Sequence, residues 1–149
     1  MTKRFFEDFR TGEVAMSAAY AVTREEILDF ARRYDPQPFH VDEAAAERSM
    51  YGGLIASGWH TCAIAMRLIC DLYITDSESL GSPGVDNVRW MKPVRPGDTL
   101  RLRWTVLATK PSRSRPEMGA VQSQWDILNQ RDEVAMQTTG WGLFRRRPA

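Results

Sequence analysis

Along the first half of the chain, apolar residues recur at three- and four-residue spacing; along the second half they alternate with polar ones. These two periods predict helices followed by strands. In "TREEILDFARRYD", Ile27, Leu28, Phe30, Ala31 and Tyr34 fall on one side of a helix. Thr23 and Glu26 form a capping box at its start: the Thr23 side chain accepts from the Glu26 amide, and the Glu26 carboxylate reaches back to the Thr23 amide. The helix stops where Asp35 meets Pro36, because proline disfavours helical geometry in the residue before it. Asp42 is placed to cap a second short helix, "EAAAERS", and a short opening strand is expected around Val14 to Tyr20.

The third helix is the most informative. From Ser57 as N-cap, "GWHTCAIAMRLICDLYI" runs to about Ile74, a length of about 27 Å. Its strongly polar residues His60, Arg67 and Asp71 share one narrow stripe. The rest is apolar, so the helix must be covered on most of its circumference, as when a curved sheet wraps it. Strands follow. "GVDNVRWMKPV" ends at the turn "RPGD", where Pro96 and Gly97 suit the central positions of a type II turn. Leu100, Leu102, Trp104, Val106 and Ala108 alternate with polar neighbours, and Val121, Ser123, Trp125 and Ile127 do likewise. The turn "NQRDE" leads into "VAMQTTGWGLF", completing an antiparallel meander. The fold class is α+β, as a single domain over residues 1–149. A free sheet edge, with Trp141 or Trp125 on the wet side, is where a second copy would pair.

Charge and composition narrow the function. With 20 basic and 19 acidic side chains the net charge is +1, which gives no field for nucleic acid or an anionic membrane. The basic end "RRRPA" reads as a solubilising tail. The start "MTKRFFEDF" lacks the apolar run of a signal peptide, and charges never stay away for the ~18 residues of a membrane span; a cytoplasmic location is expected. Cys62 and Cys70 lie about 12 Å apart along one helix, beyond disulfide reach. Two histidines and no C-x-x-C offer little to a metal, and neither a metal nor a separate cofactor is expected.

The candidate chemistry lies in "DPQPFH". Each proline fixes its own φ and restricts the residue before it, so the stretch has few conformations to lose. Fully extended, it would hold the Cα atoms of Asp35 and His40 ~16 Å apart. A working pair requires a bend, which Asp-Pro readily starts. A carboxylate and an imidazole at one water divide base and acid work between them; the plainer alternative is a rigid corner between two helices. The second candidate is "ASGWH": Gly58 stands at a helix start, where amides lack intrahelical partners and the dipole is positive, so a carbonyl oxygen can be held as charge develops on it. His60, one turn further in, reads as a pocket or surface residue. Leu54, Ile55, Ser57, Trp59 and Met66 are the candidate substrate-binding residues.

"FARRYDPQPFHVD", "GGLIASGWHTCAIAMRL" and "VRWMKPVRPGDTLRLRWTV" together resemble the MaoC-like dehydratases, a hot-dog-fold family that includes R-specific enoyl-CoA hydratases. The likeness runs from about Phe5 to Phe144, and its core is Asp, Pro and His followed by a glycine eighteen residues after the histidine. Gln37 stands where many members have asparagine, Tyr34 where glycine is common, and Met66 where some hydratases carry serine. The resemblance implies a long helix wrapped by an antiparallel sheet, and a homodimer or higher homo-oligomer with its sites near the interface. It implies that Asp35 and His40 hold the water and that the Gly58 amide binds the thioester oxygen of an acyl-CoA substrate. The implied reaction is reversible syn hydration of trans-2-enoyl-CoA to 3-hydroxyacyl-CoA. A hot-dog thioesterase, with Asp71 as the only acid well inside the long helix, and a non-catalytic acyl-CoA-binding module are the alternatives. Arg113, Arg115 and Arg145 to Arg147 are the available basic partners for the coenzyme's phosphates.

Overall fold

The computed structural model describes residues 2–149. After a single 3-10 turn at Phe6–Asp8 come two short strands, β1 (Val14–Met16) and β2 (Tyr20–Ala21), where one opening strand was expected. Helices α1 (Arg24–Tyr34), α2 (Pro38–Val41), α3 (Glu43–Glu47) and α4 (Gly58–Ile69) follow, then strands β3 (Ser79–Trp90), β4 (Thr99–Pro111), β5 (Met118–Leu128) and β6 (Val134–Arg145). The strands form an antiparallel sheet in the order β1-β4-β5-β6-β3, with β2 also pairing β4.

Local signals act where the sequence puts them. The Thr23 hydroxyl accepts from the Glu26 amide at 3.2 Å, and the Thr23 amide donates to the Glu26 carboxylate at 2.9 Å. Asp42 caps α3 by accepting from the Ala45 amide. In the "RPGD" turn the Asp98 amide donates to the Arg95 carbonyl, and Gly97 takes the positive φ of 88° that a type II turn demands at its third position. The long helix departs from expectation at its end. Regular α-helix stops at Ile69, and Cys70–Ile74 continue as a π-turn, closed by the Thr75 amide on the Cys70 carbonyl.

The sheet curls around α4 because its strands are bulged. Register shifts interrupt β4 between Val106 and Ala108 and β3 at three places between Ser79 and Asn87, and each bulge adds local twist and bend. In the concave face Leu100, Leu102, Trp104, Val121, Trp125 and Ile127 are buried, and they meet Ile64, Leu68 and Ile69 of α4. Tyr73 of the π-turn stacks on Trp104 at 3.9 Å between ring centroids. Trp125 is therefore an inside residue, its indole N–H donating to the Tyr73 hydroxyl at 3.0 Å, and not a wet-side anchor for a second copy.

Two further expectations change. Tyr34, placed on the apolar face of α1, is 70% exposed: α1 buries Ile27, Leu28 and Ala31, and its last turn projects beyond them. The covering of α4 leaves a stripe at Trp59, Ala63 and Met66 open within the protomer, beside the unpaired edge of β3. Among the described residues no helix is long and apolar enough to cross a membrane.

Candidate active site

The bend that the Asp35–His40 pair requires is a single turn of helix. Asp35 is the C-cap of α1; Gln37, held extended before Pro38, is the N-cap of α2; and Pro38 takes the first helical position, where its missing N–H costs nothing. The Asp42 amide closes the turn on the Pro38 carbonyl. His40 is thereby carried back toward the start of the segment, with Nε2 3.4 Å from Asp35 Oδ2. The other ring nitrogen, Nδ1, lies 2.7 Å from the Ile55 carbonyl oxygen. A carbonyl only accepts, so Nδ1 carries a proton and Nε2 is the nitrogen presented to Asp35.

Asp35 is fixed from two sides. The Gln37 side-chain amide donates to Oδ1 and the Ser57 hydroxyl donates to Oδ2, each at 2.7 Å. Partial burial by itself would raise the Asp35 pKa, but the hydrogen bonds from Ser57 and Gln37, with His40 nearby, outweigh it and hold the carboxyl below its ordinary range. The carboxylate is thus ionised throughout the neutral range.

Ser57 joins this pair to the long helix. Its oxygen accepts from the Trp59 amide as the N-cap of α4 while its hydroxyl proton goes to Asp35. Its carbonyl accepts from the amides of His60 and Thr61. Among the described residues, the Gly58 amide has no hydrogen-bond acceptor, as expected of the first turn of a helix. A cavity of about 500 Å³ opens here, lined by Asp35, His40, Gly58 and Thr61 and also by Trp90 and Lys92.

The structure brings Asp35, His40 and Gly58 to one cavity, with Ile55 and Trp59 among its other lining residues. Ser57 is fully buried and meets Asp35, not the cavity. Leu54 lies in the core and lines neither this cavity nor the next. Met66 lines a separate apolar cavity of about 460 Å³ further along α4, which Trp59 also borders. His60 turns away into a third cavity, beside Glu26 of α1 at 3.9 Å and stacked on Phe30. Asp71 is exposed and paired with Arg67 at 3.0 Å. The basic residues at the chain end also sit apart. Arg145, Arg146 and Arg147 pair with Glu78, Glu7 and Asp8, and Arg115 pairs with Glu117. Along β6, Met136 lies opposite Trp90 while Phe144 lies opposite Ser79, which puts the tail roughly 30 Å of strand away from the Asp35 cavity.

Sequence reasoning missed four contributors. Gln37 stands inside the motif yet reads only as a spacer. The Ile55 carbonyl has no side-chain signature at all. Trp90 ends β3 and Lys92 lies two residues beyond it, and only the strand's return past α4 brings them to the site.

With this geometry in view, comparison with known proteins is decisive. The MaoC like domain matches residues 8–124. The chain belongs to the MaoC-like dehydratase family. A crystal structure of the MaoC-like dehydratase from Rhodospirillum rubrum superposes with a TM-score of 0.87 at 44% identity, covering 98% of this chain and 99% of that one. The uncharacterized protein YdeM of Bacillus subtilis is 30% identical over 126 residues, 85% of this chain and 88% of its own length. Mesaconyl-CoA hydratase of Cereibacter sphaeroides is 31% identical over 147 residues, which is 97% of this chain but 42% of that protein. The curved antiparallel sheet around α4 is the hot-dog fold of this MaoC-like family.

Proposed function

We propose that this MaoC-like protein hydrates trans-2-enoyl thioesters of coenzyme A reversibly, giving 3-hydroxyacyl-CoA. The observation that carries this reading is the convergence of an ionised carboxylate, an imidazole nitrogen 3.4 Å from it and an unpartnered helix-start amide on one cavity. The thioester oxygen accepts from the Gly58 N–H, where the dipole of α4 stabilises the negative charge that grows on it. Asp35 takes a proton from the bound water as its oxygen attacks C3. His40, oriented by its Nδ1–H on the Ile55 carbonyl, gives an Nε2 proton to C2. Transfer of the Asp35 proton to Nε2 then restores both groups, so the net change is the addition of one water. Both groups act from one side of the substrate, and the addition is syn.

The free edge of β3 and the open stripe of α4 support a homodimer as the working assembly: Val85, Trp90 and Met91 on or beside the strand and Trp59 and Met66 on the helix are large apolar residues left exposed in the protomer. Sedimentation of the purified chain tests this.

The catalytic assignment is tested by Asp35→Asn and His40→Gln, each near-isosteric, in hydration of crotonyl-CoA. Each folded variant is expected to lose roughly 10²- to 10⁴-fold in kcat/KM. Full activity in either one would remove that residue from the mechanism. Release of free thiol with the double bond intact would move the protein to the thioesterases.

A further inference from the structure

The catalytic cavity and the apolar cavity lie one helical turn apart on α4, and a pair of indoles, Trp59 and Trp90, stands where they meet. Gly58 and Trp90 line the first; Cys62 and Val88, the next positions along the same helix and strand, line the second. The Trp90 indole lies against Gly58, on the catalytic side of this turn. A methyl group built on Gly58 would lie 2.4–2.8 Å from three of its ring carbons, so the ring is seated directly on the glycine. Trp59 braces it edge-on at 5.1 Å between centroids. Trp59 alone borders both cavities. The linings differ in kind: Asp35, Gln37, His40 and Lys92 on the catalytic side; Met66, Ile69, Val121 and Phe144 beyond the indole.

We propose that Trp90, braced by Trp59, is a specificity-determining partition that confines the acyl group to the catalytic cavity and selects short, compact enoyl thioesters over long-chain ones. This rests on the hydratase reading above. A long alkyl chain gains roughly fourfold in binding per methylene only where it finds apolar surface to cover, and the partition keeps it from the apolar cavity that adjoins the site.

The test compares kcat/KM for straight-chain enoyl-CoA of four and ten carbons in the wild type, Trp90→Leu and Trp59→Leu. The wild type is expected to favour the four-carbon substrate by at least tenfold, Trp90→Leu to raise the ten-to-four ratio by at least tenfold, and Trp59→Leu to raise it less. Trp59 is an exposed position, so that variant keeps the question open to measurement if Trp90→Leu does not fold. Equal use of both substrates by the wild type, or an unchanged ratio in every folded variant, overturns the partition. Should the folded wild type hydrate neither substrate, the hydratase reading falls. The partition is then judged by equilibrium binding of butyryl- and decanoyl-CoA: a gain for decanoyl-CoA in the leucine variants upholds it, and none overturns it.

Discussion

The Ser57 hydroxyl donates to Asp35 Oδ2 at 2.7 Å while the same oxygen accepts from the Trp59 amide at 3.2 Å. One atom therefore starts the long helix and orients the carboxylate. A fully buried serine at this position acts on Asp35 and α4 together, and moving one displaces the other.

Ser57→Ala should reveal both roles at once. Loss of the cap costs about 1 kcal/mol of stability, read as a lowered urea midpoint. Loss of a hydrogen bond to a charged group is worth about 1.5–3 kcal/mol, so kcat/KM for crotonyl-CoA should fall roughly tenfold to a hundredfold beyond any effect of unfolding. Ser57→Thr, which keeps the hydroxyl, should recover part of the activity. A variant that loses stability alone would make Ser57 a cap and nothing more.

Gly58→Ala places a methyl 2.4 Å from the Trp90 ring. Alanine is the better helix former, yet overpacking against a braced indole costs about 1–3 kcal/mol, and the clash should win. The coupling is measurable by a double-mutant cycle: in a Trp90→Leu background the cost of Gly58→Ala should drop below about 1 kcal/mol. Equal costs in the two backgrounds would show that the ring swings aside freely.

Two titratable groups near the start of α4 have their pKa values lowered, for different reasons. Asp35 has its pKa held below the ordinary 3.8, because hydrogen bonds from Ser57 and Gln37 overcome the effect of burial. It stays ionised above pH 5, so an acidic limb in kcat/KM at higher pH belongs to another group. His60 has its pKa pushed below the ordinary 6.5 by burial, with Glu26 opposing in part. Protons then bind the unfolded chain first, and stability declines as pH falls below 6.5 until the folded pKa is reached. The urea midpoint should therefore drop more between pH 7.5 and 5 in the wild type than in His60→Phe, where the ring still stacks on Phe30. An equal drop in both proteins would assign that pH dependence elsewhere.

Much of this site was legible in the sequence because short-range rules govern it. Capping boxes, X-Pro restrictions and a helix-start glycine act over three or four residues, and Thr23, Asp35, Pro38 and Gly58 stand where those rules put them. Even the need for a bend at "DPQPFH" followed from chain dimensions alone. What stayed hidden depends on distant strands. Trp125 and Trp141 both sit in strands that read as two-faced, yet Trp125 faces the Tyr73 hydroxyl within the curl of the sheet while Trp141 is only half-buried. Tyr34 continues the apolar spacing of α1 beyond the last point where the core can receive it. Trp90 reads as an ordinary strand residue until pairing with Met136 brings its strand past the start of α4.

The orientation of His40 depends on the main chain at Ile55, through a carbonyl oxygen that every amino acid supplies. A substitution at residue 55 that respects its buried packing changes the cavity wall and leaves the acceptor for His40 Nδ1 in place. One position thus contributes twice and separately: its backbone orients the imidazole and its side chain shapes the cavity wall, so the wall can be recast while the ring stays in place.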